Sequence, residues 1–85
     1  MYVHAGNNRM IRTREIIGIF DMDTATVAPA TRDFLRRAEK DGRMVNITEE
    51  IPKSFVVTNN SKSTVYVSQI STSALCGRAA AGIGE

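Results

Sequence analysis

Ser54-Phe55-Val56-Val57-Thr58, Asn59-Asn60-Ser61-Lys62-Ser63 and Thr64-Val65-Tyr66-Val67-Ser68 form one continuous stretch of the chain. The first five residues are a near-continuous apolar run of the kind a strand covered on both faces carries. The middle five are polar turn formers. The strand read from Thr64 to Ile70 alternates, with Val65 and Val67 against Tyr66 and Ser68, so the two valines point to one face. Two such runs joined by a short polar loop predict an antiparallel hairpin at the centre of a sheet.

Outward from this hairpin, Pro52 closes a loop from Glu49, because proline cannot donate to a strand ladder. Met44 to Ile47 reads as another strand. Upstream, Pro29 to Asp41 is a helix: proline suits the first turn, and Phe34, Leu35 and Ala38 recur at helical spacing as the core-facing stripe. Lys40 complements the dipole in the last turn, and Gly42 sits where a left-handed cap is common. Ile16-Ile17-Gly18-Ile19-Phe20 is too short for a helix and reads as a buried strand. Gly18 within it suggests a bulge or the close approach of other atoms. Tyr2 to His4 and Met10 to Arg12 read as short strands around a Gly6-Asn7-Asn8 turn. Ser71 or Ser73 can cap a closing helix through Leu75, Cys76 and Ala79, with Cys76 a small buried apolar group on that helix. The predicted order is β-β-β-α-β-β-β-α: a single α+β domain over residues 1–80, a mostly antiparallel sheet with one long helix and one short C-terminal helix, and a flexible tail at 81–85.

The 85 residues bound the possibilities further. A domain of this size leaves a large share of its surface exposed, about 40% of what the unfolded chain shows. It gains stability from a disulfide, a metal or self-association. The single cysteine closes no internal disulfide, and His4 is the only histidine. Self-association remains, so a homo-oligomer is expected. A lone thiol, together with the lack of a signal-like or spanning apolar run, predicts a cytoplasmic protein.

The residues offer little for catalysis. Cys76 and His4 are the only nucleophile and base that could pair, and nothing orients them. Asp21 and Asp23 fall short of a calcium loop, and Gly82-Ile83-Gly84 is no nucleotide fingerprint. No enzyme, metal or cofactor is expected. The basic residues say more, although the net charge is only +2. Arg9, Arg12 and Arg14 precede any acid in the chain. In an extended segment Arg12 and Arg14 share a face, with Arg9 near them across the turn. Arg32, Arg36 and Lys40 are spaced i, i+4, i+8 along the helix. Pairs between Asp33 and Arg37 and between Arg36 and Glu39 are in reach and would partly neutralise that row. Both clusters read equally as solvated faces or as contacts for phosphate, whose oxygens match the arginine fork. Repetition of the patch around a closed oligomer turns sparse cations into a strong grip on a polyanion.

Thr13-Arg14-Glu15-Ile16-Ile17-Gly18-Ile19-Phe20 and Pro52-Lys53-Ser54-Phe55-Val56-Val57-Thr58, with Met1-Tyr2-Val3-His4 and Ser71-Thr72-Ser73-Ala74-Leu75, resemble the extracellular matrix regulatory protein family, and more closely its RemB-like branch. The resemblance spans nearly the whole chain, with the motifs in the same order. It implies a fold similar to a LytTR-type DNA-binding domain, ring-like homo-oligomers, and double-stranded DNA as partner in the transcriptional control of bacterial biofilm matrix genes. It also implies a departure. RemA-like members carry adjacent arginines in the loop before the central strand, whereas this loop reads Glu49-Glu50-Ile51-Pro52-Lys53. Arg14 and Lys53, which lie inside matching motifs, are the leading DNA-binding candidates, followed by Arg9, Arg12, Arg32 and Arg36. A protein-interaction module of the same fold without DNA contact is the alternative.

Overall fold

A computed structural model of the chain describes residues 2–7, 9–48 and 50–83. Strands β1 (Tyr2–Gly6) and β2 (Arg9–Arg12) form an antiparallel ribbon. A 3-10 turn (Thr13–Glu15) leads into β3 (Ile16–Asp21), then α1 (Met22–Ala25) and α2 (Pro29–Lys40). After β4 (Met44–Asn46), β5 (Ser54–Thr58) and β6 (Val65–Ser68), the chain ends in α3 (Thr72–Ile83). The second sheet is ordered β3-β5-β6-β4, antiparallel except for the parallel β4–β6 pair.

The hairpin at the sheet centre sorts its side chains as its alternation requires. Phe55, Val65 and Val67 are buried on one face with Ala38 of α2, and Met22, Ala25, Leu35, Met44 and Val57 pack around them. Val56 is buried on the opposite face with Val3, Ala5 and Ile11 of the ribbon, Ile47 and Leu75 of α3. The protein is therefore layered, with the ribbon and α3 on one side of the sheet and α1 and α2 on the other.

Local signals terminate the elements. Pro29 begins α2, where its missing N–H costs nothing. Gly42 follows the helix at φ +73°, a conformation that costs glycine little. Ser71 Oγ accepts the Ala74 N–H at the start of α3. Asp21 caps α1 through Oδ1, which accepts the Thr24 N–H at 3.0 Å and the Thr24 hydroxyl at 3.2 Å. This short helix was not legible in the Met22-Asp23-Thr24-Ala25 sequence.

Several expectations are corrected. β3 is an edge strand rather than a buried one: among the described residues it pairs only with β5, and Ile17 is 65% exposed. Ile16 and Ile19 of its apolar run pack on the ribbon side, and Phe20 stacks on Phe55 on the α2 side while remaining partly exposed. The expected irregularity at Gly18 is present as a register shift between Ile16 and Gly18. Phe34 belongs to the apolar stripe of α2 but is 37% exposed, because α2 covers the β3 margin of the sheet incompletely. Cys76 is exposed; the buried residue of that helix turn is its neighbour Leu75. The side chain of Ala79 lies outside the described residues. With 12 residues α3 is as long as α2, not short. It runs to Ile83, and Gly84 and Glu85 of the expected tail lie outside the described residues, as does Asn8 of the first turn.

Candidate nucleic-acid interface

The 3-10 turn changes the grouping of the early arginines. Arg12 ends β2 while Arg14 lies within the turn, so the segment is not extended and the two do not share a strand face. Arg12 instead lies over the Tyr2 ring, its guanidinium carbon 5.9 Å from the centroid. Arg14 is exposed at the entry to β3.

Backbone hydrogen bonds place other cations at the same end of the sheet as Arg14. The Asn59 N–H donates to the Glu15 carbonyl at 2.8 Å, which ties the end of β5 to the 3-10 turn. The Thr58 N–H donates to the Thr64 carbonyl across the hairpin turn at 3.2 Å. The Val65 N–H donates to the Arg43 carbonyl at 2.9 Å. Arg14, the β5–β6 turn and Arg43 therefore follow one another along a single sheet end. Within that turn Asn60 Oδ1 accepts the N–H groups of Lys62 (3.1 Å) and Thr64 (3.0 Å), which fixes the backbone that presents the exposed Lys62. The Arg43 guanidinium donates to the Ser63 carbonyl at 3.1 Å and lies 3.6 Å from Asp41. Lys40, at the C-terminus of α2, completes this end, with Glu15, Glu39 and Asp41 as its acids.

Lys53 stands elsewhere. Its carbonyl accepts the Met22 N–H and its own N–H donates to the Ser68 carbonyl, both at 2.9 Å. Because β3 and β5 are antiparallel, Arg14 and Lys53 occupy opposite ends of their ladder. The rise of about 3.4 Å per residue along β5 puts them roughly 14 Å apart or more, about four base-pair steps of duplex DNA. Arg32 is at the Lys53 end, where its guanidinium donates to the Thr26 carbonyl at 3.2 Å. Arg9 also lies away from Arg14, at the far end of the ribbon strand. Arg36 lies along the helix and pairs with Asp33 at 2.9 Å. That pair takes the place of the expected Asp33–Arg37 and Arg36–Glu39 contacts, since the i, i+3 geometry from Asp33 suits the shorter reach.

The structure thus divides the sequence candidates between two ends of the sheet. It also adds Arg43 and Lys62, which the sequence does not mark as site candidates. Lys62 is visible there only as one residue of a polar turn, and Arg43 only as one of the five bases between residues 32 and 43. Their meeting with Arg14 depends on long-range strand pairing. In the loop before β5, Glu50 is exposed and Ile51 is 86% exposed, and Glu49 lies outside the described residues. Asp21, which the sequence pairs with Asp23, is committed to the α1 cap. The Thr24 N–H holds its carboxyl below the ordinary value against the opposing desolvation, and the Thr24 hydroxyl and the Asp23 N–H add smaller lowering contributions.

A family model described as "Extracellular matrix regulatory protein A-like" (RemA-like) matches residues 2–78. Among curated relatives, the chain is 37% identical over 79 residues to extracellular matrix regulatory protein B of Bacillus subtilis (strain 168), a match covering 93% of this chain and 90% of that protein. On the strength of a match across almost its whole length, this chain belongs to the extracellular matrix regulatory protein family.

Proposed function

We propose that this protein is a cytoplasmic regulator of bacterial extracellular matrix and biofilm genes that binds double-stranded DNA as a ring-like homo-oligomer. The observation that carries the reading is the sheet end where Arg14, Arg43 and Lys62 are held together by backbone hydrogen bonds. A few cations on one protomer make only a few phosphate contacts, and affinity grows with the number neutralised. Closed symmetry repeats the same end around one rim and multiplies those contacts. Arg12 adjoins that end, while Lys53, Arg9 and Arg32 at the other end, and Arg36 between, would widen the surface the duplex meets.

The test is binding to duplex DNA across a salt series by the purified oligomer. Affinity is expected to fall steeply as salt rises, and Arg14→Ala to flatten the slope of log affinity against log salt. A salt-independent response, or no binding at low salt, would end this reading.

A specific observation favours a second one. Where the resemblance leads one to expect arginines, the loop carries Glu50 and the 86% exposed Ile51. An apolar residue beside a carboxylate suits a protein partner better than phosphate. In this alternative the oligomer forms, DNA does not bind, and the loop contacts another protein. A shift of duplex DNA by the assembled protein at physiological salt would exclude it.

A further inference from the structure

The outward face of the ribbon is both aromatic and basic. Val3, Ala5 and Ile11 turn inward, so Tyr2 and His4 of β1 and Met10 and Arg12 of β2 turn outward. The register sets Tyr2 opposite Arg12 and His4 opposite Met10, which makes the four one contiguous face. Tyr2 is 50% exposed and Met10 49%. The Arg12 guanidinium lies over the Tyr2 ring, 5.9 Å from its centroid, and steadies the ring by cation–π attraction.

Cations border this face on both sides. The exposed Arg9 begins β2. Beside β1, the Arg78 guanidinium reaches from α3 and donates to the His4 carbonyl at 2.6 Å. Residues 2–14 contain Arg9, Arg12 and Arg14 and no acid. Among the described residues no carboxylate pairs with Arg9, Arg12 or Arg78. An apolar partner would bury these charges unpaired, at a high cost. A DNA duplex would meet the charges but not the ring, because its bases are stacked inside it.

We infer that the outward face of the ribbon binds single-stranded RNA. An unpaired base stacks on Tyr2, and the phosphates on either side of it lie against Arg9, Arg12 and Arg78. Unpaired bases are the ordinary state of RNA loops and ends, and aromatic rings and guanidinium planes are the surfaces on which they stack. Arg12 presents its own plane beside the ring it covers. His4 is exposed on the same face two residues along β1, where its ring meets the next base and its nitrogens can bond a ribose 2′-hydroxyl. Stacking accepts every base, so the face discriminates little between sequences. Tyr2 stands apart from the sheet end that carries the duplex reading, where Arg14, Arg43 and Lys62 meet.

The test uses the full-length protein, fluorescein-labelled oligo(rU) for anisotropy, and the protein's own tyrosine emission. The chain has two tyrosines and no tryptophan, so that emission is unmasked. The other tyrosine, Tyr66, is half-buried in β6. Unlabelled oligo(rU) is expected to quench part of the emission. Tyr2→Phe is expected to bind oligo(rU) as the wild type does, with no quenching. Tyr2→Leu keeps apolar bulk without the ring. It is expected to weaken oligo(rU) binding about 5-fold to 150-fold, as the loss of one stacked base does, and to leave the response to duplex DNA as in the wild type. Oligo(dU), which differs only in lacking the 2′-hydroxyl, is expected to bind more weakly than oligo(rU). Circular dichroism checks that the variants fold, and the quenching comparison between wild type and Tyr2→Phe decides alone if Tyr2→Leu does not. The RNA site is overturned if oligo(rU) does not bind at low salt, if folded Tyr2→Leu binds it like the wild type, or if quenching persists in Tyr2→Phe. Oligo(dU) binding as tightly as oligo(rU) overturns it as well. Loss of duplex binding with oligo(rU) binding intact removes the proposed function and leaves this site standing. The reverse removes this site alone.

Discussion

The Ser68 hydroxyl, fully buried in β6, donates to the carbonyl of Ala5 at 2.7 Å across a separation of 63 residues, and the same oxygen accepts the Ile70 N–H at 3.0 Å. One small polar side chain thereby fastens the N-terminal ribbon to the central sheet and turns the chain toward α3. Ser68→Ala leaves both backbone groups without that partner, and a buried unsatisfied group costs about 1–3 kcal/mol. The expected outcome in urea denaturation is a loss of that order. Ser61→Ala, in the exposed turn, is expected to change stability by less than about 0.5 kcal/mol. Equal effects from the two substitutions would show that the Ser68–Ala5 bond does not join the layers.

Adjacent residues of α3 make opposite predictions. Leu75 is fully buried, and Cys76 is exposed. Leu75→Ala is expected to cost about 2–5 kcal/mol, as truncation of a core leucine does. Cys76→Ser is expected to change the midpoint of thermal unfolding little, and the Cys76 thiol to react with a thiol-specific reagent in the folded protein. A slow thiol that reacts only on unfolding would contradict the placement of this helix face.

The cap of α1 makes a prediction about acid. The Thr24 N–H is the main cause of the lowered value at Asp21, whose ordinary value is 3.8. Because the folded value is depressed, the contribution of the cap is complete above the unfolded value and is lost as pH falls through the folded one. Carboxyl titration by NMR is expected to find Asp21 below 3.8 in the native protein. Thr24→Val keeps the N–H and is expected to preserve most of the lowering. Full return to the ordinary value in that variant would show the hydroxyl, not the N–H, to be responsible.

At the sheet end, Lys62 and Arg43 differ in what they do for the fold. The Lys62 side chain is exposed in a turn fixed by Asn60, so Lys62→Ala is expected to leave stability unchanged. If the oligomer binds DNA through this end, the salt slope falls by about 0.9 for each phosphate that the engaged subunits no longer neutralise. Arg43→Ala also removes the bond to the Ser63 carbonyl, so some loss of stability is expected to accompany any change in binding. If the protein binds duplex DNA, binding curves at several salt concentrations for Lys62→Ala against Lys53→Ala would show which end of the sheet meets it.

Gly42 provides a purely backbone prediction. It holds φ +73° after α2, and a Cβ there meets nothing within 4 Å. Gly42→Ala therefore suffers no clash, only the left-handed conformation, at about 1–2 kcal/mol. Gly42→Asn is expected to lose less in the same thermal melt, since asparagine tolerates this region better.

The elements that could be read in advance are those whose signal is local. Pro29 and Gly42 bracket α2, the polar turn at Asn59–Ser63 separates β5 from β6, and the valines of β6 choose their face by alternation. Two misreadings share one cause. The run Ile16–Phe20 looks like an interior strand because apolarity is the same for a residue that meets its own core and for one that remains exposed. Cys76 looks buried because helical spacing tells which residues are neighbours and not which of them turns inward. The candidate site was legible as residue types but not as a place. The linear sequence groups Arg12 with Arg14 and gives no reason to set Lys62 beside Arg43.

Composition, turn residues and periodicity determined by themselves that this chain is α+β with a β5–β6 hairpin at the centre of its larger sheet, because these signals act over a few residues. Tertiary structure alone decided that β3 stands at the sheet margin, that β4 lies parallel beside β6, and that Arg14 and Lys53 occupy opposite ends. Those outcomes depend on which distant strands pair and which faces are covered, and burial settles that for the chain as a whole.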